Sequence, residues 1–238
     1  MTLKHGLVSV LVGLSSVTLC PPAPASTVWQ GDPAQGTSVF ALLNCDAPGS
    51  LTVAHDPRLG AVWQYYKPSG DKRCESHGIA TGGTKYNFQN NSTYFFGWSS
   101  KLTSTVDDYA NFQWKSYGTG MTQNYPFVIK VVNGRTTVWQ FQPGAPGRMV
   151  WESAPISAGT WHHYAVGVHT SDVLTGGWIQ LWFDGQPQTF VDGSSQYRCR
   201  TWDVSNDPKW GVYGATATAF ANFVAMPKMG TEYGDVAN

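Results

Sequence analysis

Charge is scarce in this 238-residue chain, where 15 Lys and Arg face 15 Asp and Glu for a formal net charge of zero. That balance leaves no broad electrostatic footprint for nucleic acid or a membrane surface, so an anionic ligand has to be met by local charge. Glutamate is rarer still, occurring only at Glu75, Glu152 and Glu232, scattered and without a Glu-x-Asp pair. Standard glycoside hydrolysis needs two suitably placed carboxyl groups, so a hydrolase is disfavoured. Histidine is sparse as well, and the adjacent His162 and His163 would point to opposite faces of a strand. Neither a catalytic zinc signature nor an EF-hand calcium loop is present. Beyond the N-terminus no apolar run is long enough to cross a bilayer as a helix.

Lys4 and His5 precede a mostly apolar run from Leu7 to Leu19, and Ala23-Pro24-Ala25 has the small-residue pattern of a cleavage site. Residues 1–25 read as a secretory signal peptide, which makes residues 26–238 one extracellular domain. Cys20 leaves with the leader, so Cys45, Cys74 and Cys199 can form at most one internal bridge, and any two of them could pair. Asn90 and Asn91 each begin a glycosylation sequon, in keeping with an exposed loop of a secreted glycoprotein.

What the chain has in quantity is 26 Gly, 14 Pro and eleven each of Trp, Tyr and Phe. Short alternating segments bounded by turn residues recur throughout: 39–43, 51–53, 61–66, 93–102, 111–117, 127–132, 136–142, 162–169, 178–183 and 210–213. This spacing predicts an all-β sandwich of two sheets. Trp178 to Phe183 is largely apolar on both faces and is expected to be a central strand.

Three segments carry polar groups on one period-two face. Arg73, Glu75 and His77 alternate with Cys74 and Ser76, while Asn111, Gln113, Lys115 and Tyr117 alternate with Phe112 and Trp114. Lys209, Gly211 and Tyr213 alternate with Trp210 and Val212. Taken singly, Arg73 and Glu75 read equally as a surface pair, His77 as a structural histidine and Tyr213 as a packing residue. On one shared concave sheet they would suit β-elimination from a polyuronate. Arg, Gln and His would neutralise the carboxylate beside C5, and a tyrosine could remove the C5 proton and return it to O4.

The segments Arg73-Cys74-Glu75-Ser76-His77-Gly78, Tyr94-Phe95-Phe96-Gly97-Trp98-Ser99, Asn111-Phe112-Gln113-Trp114-Lys115, Trp178 to Gly185 and Pro208 to Tyr213 occur in an order that resembles the secreted β-jelly-roll polysaccharide lyases. The fungal endo-β-1,4-glucuronan lyases, polysaccharide lyase family 20, are the most similar group. Alginate lyases and heparin lyase I are more distant. The resemblance implies an all-β jelly roll, a concanavalin-like two-sheet sandwich with a concave substrate groove. It further implies Tyr213 as base and acid, with His77, Gln113 and Arg73 at the uronate carboxylate. Glu75, Asn111, Lys115 and Lys209 would then contact substrate, and Lys209 would favour the phenolate of Tyr213. Alginate lyases carry a histidine two places after the glutamine, where this chain has Lys115, and that departure points away from alginate. No cofactor is needed for the chemistry, a structural calcium ion is compatible with the resemblance, and the chain is expected to act as a monomer on an anionic polysaccharide. A non-catalytic carbohydrate-binding jelly roll would share the fold and the aromatic surface.

Overall fold

The computed structural model describes residues 1–2, 27–106 and 108–237; the apolar run and the cleavage site expected of a leader lie outside them. Among the described residues seventeen strands follow in chain order. They are β1 (Trp29–Gln30), β2 (Phe40–Asn44), β3 (Ser50–Asp56), β4 (Gly60–Lys67), β5 (Arg73–Thr81), β6 (Thr84–Lys85), β7 (Thr93–Leu102), β8 (Tyr109–Tyr117) and β9 (Phe127–Val132), followed by β10 (Arg135–Gln140), β11 (Arg148–Pro155), β12 (Trp161–His169), β13 (Gly177–Phe183), β14 (Gln186–Pro187), β15 (Tyr197–Cys199), β16 (Ser205–Gly214) and β17 (Phe220–Gly230). The front sheet runs β11-β10-β9-β8-β16-β5-β2 with β6 on β5, and the back sheet runs β14-β13-β12-β7-β17-β4-β3 with β1 and β15 attached.

The two sheets enclose an aromatic core. Trp210 and Val212 of β16, Phe112 and Trp114 of β8 and Cys74 of β5 face inward from the front sheet, meeting Trp63, Tyr65, Phe96, Trp98 and Tyr164 of the back sheet. Trp98 stacks on both Phe112 and Tyr164, with ring centroids 4.6 and 5.2 Å away. The inward parity of these residues turns their strand neighbours outward, which places the polar face of the front sheet away from the core.

β13, β11 and β17 depart from the sequence reading. β13 is not central, because only the short β14 and β15 flank its outer side. Its second apolar face, Trp178 and Trp182, packs instead with Phe95, Val236 and Tyr233 outside the back sheet. β11 and β17 were not foreseen as strands. β17 contains Pro227 and a register shift between Ala225 and Lys228, with Met226 at φ 51°; proline and an irregular residue inside an apolar run hide a strand from pattern reading. Among the described residues Cys45 is bridged to Cys74, and Cys199 is a buried free thiol.

Candidate active site

β16 lies between β5 and β8, so all three polar segments fall side by side on the front sheet. Arg73 is opposite Tyr213 and Glu75 opposite Gly211, while Gln113 is opposite Lys209 and Ala110 opposite Tyr213. Gly211 is required here. Its φ is 139°, and a Cβ would lie 2.2 Å from the Cys74 carbonyl oxygen. With no side chain at that position, Glu75 reaches past β16, accepting from the Gln113 amide on Oε1 and from Lys209 Nζ on Oε2 at 2.6 Å. Glu75 and Lys209 are each 2% exposed. Burial pushes the Glu75 carboxyl upward, and the Lys209 ammonium and Gln113 amide oppose it.

Gln113 and Tyr213 line one cleft of about 240 Å³, together with Ala110, Tyr125, Val128 and Lys130. Arg73 sits at its edge, guanidinium 5.0 Å from the centre of the Tyr213 ring, and Lys72 lies 5.3 Å from the same ring. The cations over Tyr213 therefore come from β5 and the turn before it, whereas Lys209 is occupied by Glu75. Lys115 holds the groove-lining turn through the Asn124 carbonyl at 3.2 Å and lies over the Tyr117 ring. Burial and the nearby Lys209 and Arg73 lower its affinity for a proton, with Glu75 opposing. Asp203 fixes the same turn by accepting the Thr122 and Gln123 N–H groups at 2.5 and 2.7 Å.

His77 belongs to a neighbouring cluster. Four residues of strand, about 13 Å, separate it from Arg73. It donates from Nε2 to Asp207 at 3.0 Å, which assigns the tautomer with Nδ1 unprotonated when the ring is neutral. Its ring stacks on Tyr117 at 4.2 Å. Asp207 also accepts from Lys85 at 2.6 Å. The structure thus brings Tyr213, Gln113 and Arg73 together, with His77 adjoining through a second polar cluster. Asn111 does not share this face. The register shift between Ala110 and Phe112 turns it inward, where it is 1% exposed. As placed, Glu75 and Lys209 lie beneath the cleft and touch one another, not its opening.

Asp207, Lys85 and Lys130 escaped the sequence reading. Asp207 has the parity of Lys209 and Tyr213, and Lys130 is a lone charge in an apolar strand, so both carried a usable signal. Lys85 sits in a short hairpin without one. His162 and His163 do face opposite ways: His162 stacks on Phe183 at 5.1 Å, and His163 approaches Ser99. Among the described residues, no three or more His, Cys, Asp or Glu side chains are grouped to hold a metal ion, and no helix is long and apolar enough to cross a membrane.

The family profile described as polysaccharide lyase matches residues 47–224, which span all three site strands. This chain belongs to the polysaccharide lyase family. The lyase has the β-jelly-roll fold, and it is similar to the endo-β-1,4-glucuronan lyase of the fungus Trichoderma reesei, with a TM-score of 0.65, 16% identity and coverage of 89% of this chain and 98% of that one. A carbohydrate esterase of the Shiga toxin-encoding bacteriophage phi24B superposes with a TM-score of 0.57 at 12% identity, over 87% of the lyase and 99% of the esterase. The PL-14 alginate lyase of the marine Aplysia kurodai superposes with a TM-score of 0.53 at 10% identity, over 87% and 100%. Comparison with curated proteins finds no match.

Proposed function

We propose that this lyase cleaves a β-1,4-linked polyuronate, glucuronan first among them, by syn β-elimination outside the cell. The observation that carries the reading is the placement of Gln113 and Tyr213 in one cleft with Arg73 opposite Tyr213. In β-1,4-linked glucuronate the C5 hydrogen and O4 lie on the same side of the ring. One group can therefore serve both steps. Arg73 and the Gln113 amide bind the C5 carboxylate as charge moves onto it. Tyr213, from its phenolate form, takes the C5 proton. A C4–C5 double bond forms as the C4–O4 bond breaks, and the same hydroxyl returns the proton to O4. His77, engaged by Asp207 at Nε2, assists the carboxylate through Nδ1. Glu75 and Lys209 are positioning residues that aim Gln113. The similar fold of the Trichoderma reesei glucuronan lyase, with Lys115 standing where alginate lyases carry histidine, favours glucuronan over alginate. The leader-like N-terminus and the Cys45–Cys74 bridge support secretion into an oxidising compartment.

The test is ultraviolet absorbance of the conjugated product during incubation with glucuronan, alginate, heparin and pectate. Glucuronan should give the fastest rise, and Tyr213→Phe should lower turnover about a hundredfold or more while still binding the polymer. A hydrolase would release sugar without that absorbance. A binding domain would show no turnover for the variant to lose.

A further inference from the structure

Tyr213 is one of four residues aligned across four strands. Arg73 is opposite Tyr213, Tyr213 opposite Ala110 and Ala110 opposite Lys130. Paired residues share a face, and neighbouring strands are about 4.8 Å apart. Two cations therefore flank Tyr213, Arg73 one strand away and Lys130 two strands away on the other side. The Ala110 methyl leaves the floor between Tyr213 and Lys130 open, and all three line the same cleft. Tyr125 and Phe141, edge to face at 4.6 Å, supply an apolar wall there.

Nothing in the elimination chemistry uses Lys130. Its ammonium lies 5.3 Å from the centre of the Trp139 ring and pairs with Asp108, whose side chain is 82% exposed. So exposed a partner holds its cation weakly and is readily exchanged for another carboxylate.

We propose that Lys130 receives the carboxylate of a second uronate of the same polymer, and that Asp108 is the counter-ion this carboxylate displaces. The inference rests on the polyuronate-lyase reading and adds to it a subsite and a competitor built into the chain. A saccharide crossing the strands from Arg73 to Lys130 would lay one carboxylate at each cation, with the reacting C5 over Tyr213 between them.

A generic charge effect would let Asp108→Asn tighten binding even beside Lys130→Ala, whereas displacement from Lys130 lets it do so only while the lysine is present. Steady-state assays on glucuronan oligosaccharides should show that Lys130→Ala raises KM about tenfold, that Lys130→Arg restores most of it, and that Asp108→Asn lowers KM about threefold. Calorimetric binding in the Tyr213→Phe background should follow the same order. An Asp108→Asn variant that binds no better than its parent, or a Lys130→Ala variant that binds as well, overturns the proposal. Asp108 is exposed, so its variant remains informative if Lys130→Ala folds poorly. If the unsubstituted protein yields no unsaturated product from any polyuronate, the lyase reading fails, and the calorimetric order still decides the subsite.

Discussion

Glu75 shows how a residue can matter to a cleft it does not touch. Its two oxygens hold a lysine and a glutamine from different strands, in a pair of side chains only 2–3% exposed. Removing one partner of a buried ion pair strands the other charge, at a cost of about 3–5 kcal/mol. Glu75→Ala should therefore lower the thermal midpoint sharply, whereas Glu75→Leu combined with Lys209→Met should recover most of it. Activity should stay low in both, since neither holds the Gln113 amide. Equal melting of the single and double variants would sink this account of the pair. At this scale period-two alternation located Arg73, Glu75, His77, Gln113, Lys209 and Tyr213 on one face. It failed at Asn111, where a bulge inverts parity, and nothing about an Asn before Phe112 marks the inversion.

Among the elements, the turns at the end of β16 depend on one buried lysine. Lys67, fully buried at the end of β4, shares its three N–H donors among four main-chain carbonyls: Pro68 at 3.2 Å, Asp71 at 3.0 Å, Ala215 at 3.1 Å and Thr218 at 2.8 Å. It ties the turn that delivers Lys72 and Arg73 to the turn that follows Tyr213, and Gly214 N–H closes the link on the Lys72 carbonyl at 2.9 Å. Lys67→Met fills the volume but leaves the carbonyls without their donor, which should cost about 3 kcal/mol and reduce turnover through disorder on both sides of Tyr213. Hydrogen exchange should quicken at 68–72 and 214–218. Unchanged exchange in those turns would show that the lysine merely fills space. Pro208 explains why β16 was legible only in part. It pairs with β8 at Trp114, while the β5 ladder begins at Gly211, so the missing N–H falls where no β5 partner is opposite it. The segment read as a strand from sequence starts at Trp210, two residues past the proline, and in the fold Pro208 lies where one of the two neighbours departs.

For the molecule as a whole, the sandwich was readable because strand patterning reports on faces, while the order of strands within each sheet depends on long-range pairing that no local window contains. The back sheet illustrates the second part. Asp56 closes β3 and accepts from Lys101 of β7 at 2.7 Å and from Trp161 of β12 at 2.9 Å, so one carboxylate joins three strands distant in sequence. The Lys101 ammonium is the main cause holding this carboxyl well below the usual carboxylate range; burial opposes it, and Trp161 and the Arg58 and Leu59 N–H groups reinforce it. The unfolded chain binds that proton near pH 3.9 and the folded chain only at lower pH. The stabilisation is therefore complete above the unfolded value and disappears as pH falls toward the folded one. Asp56→Asn keeps the shape but has no charge to titrate. Thermal midpoints measured from pH 7 to pH 3 should place the variant below the parent at neutrality, with the gap narrowing on acidification. Parallel curves over that range would mean that the carboxylate does not couple the three strands through its charge.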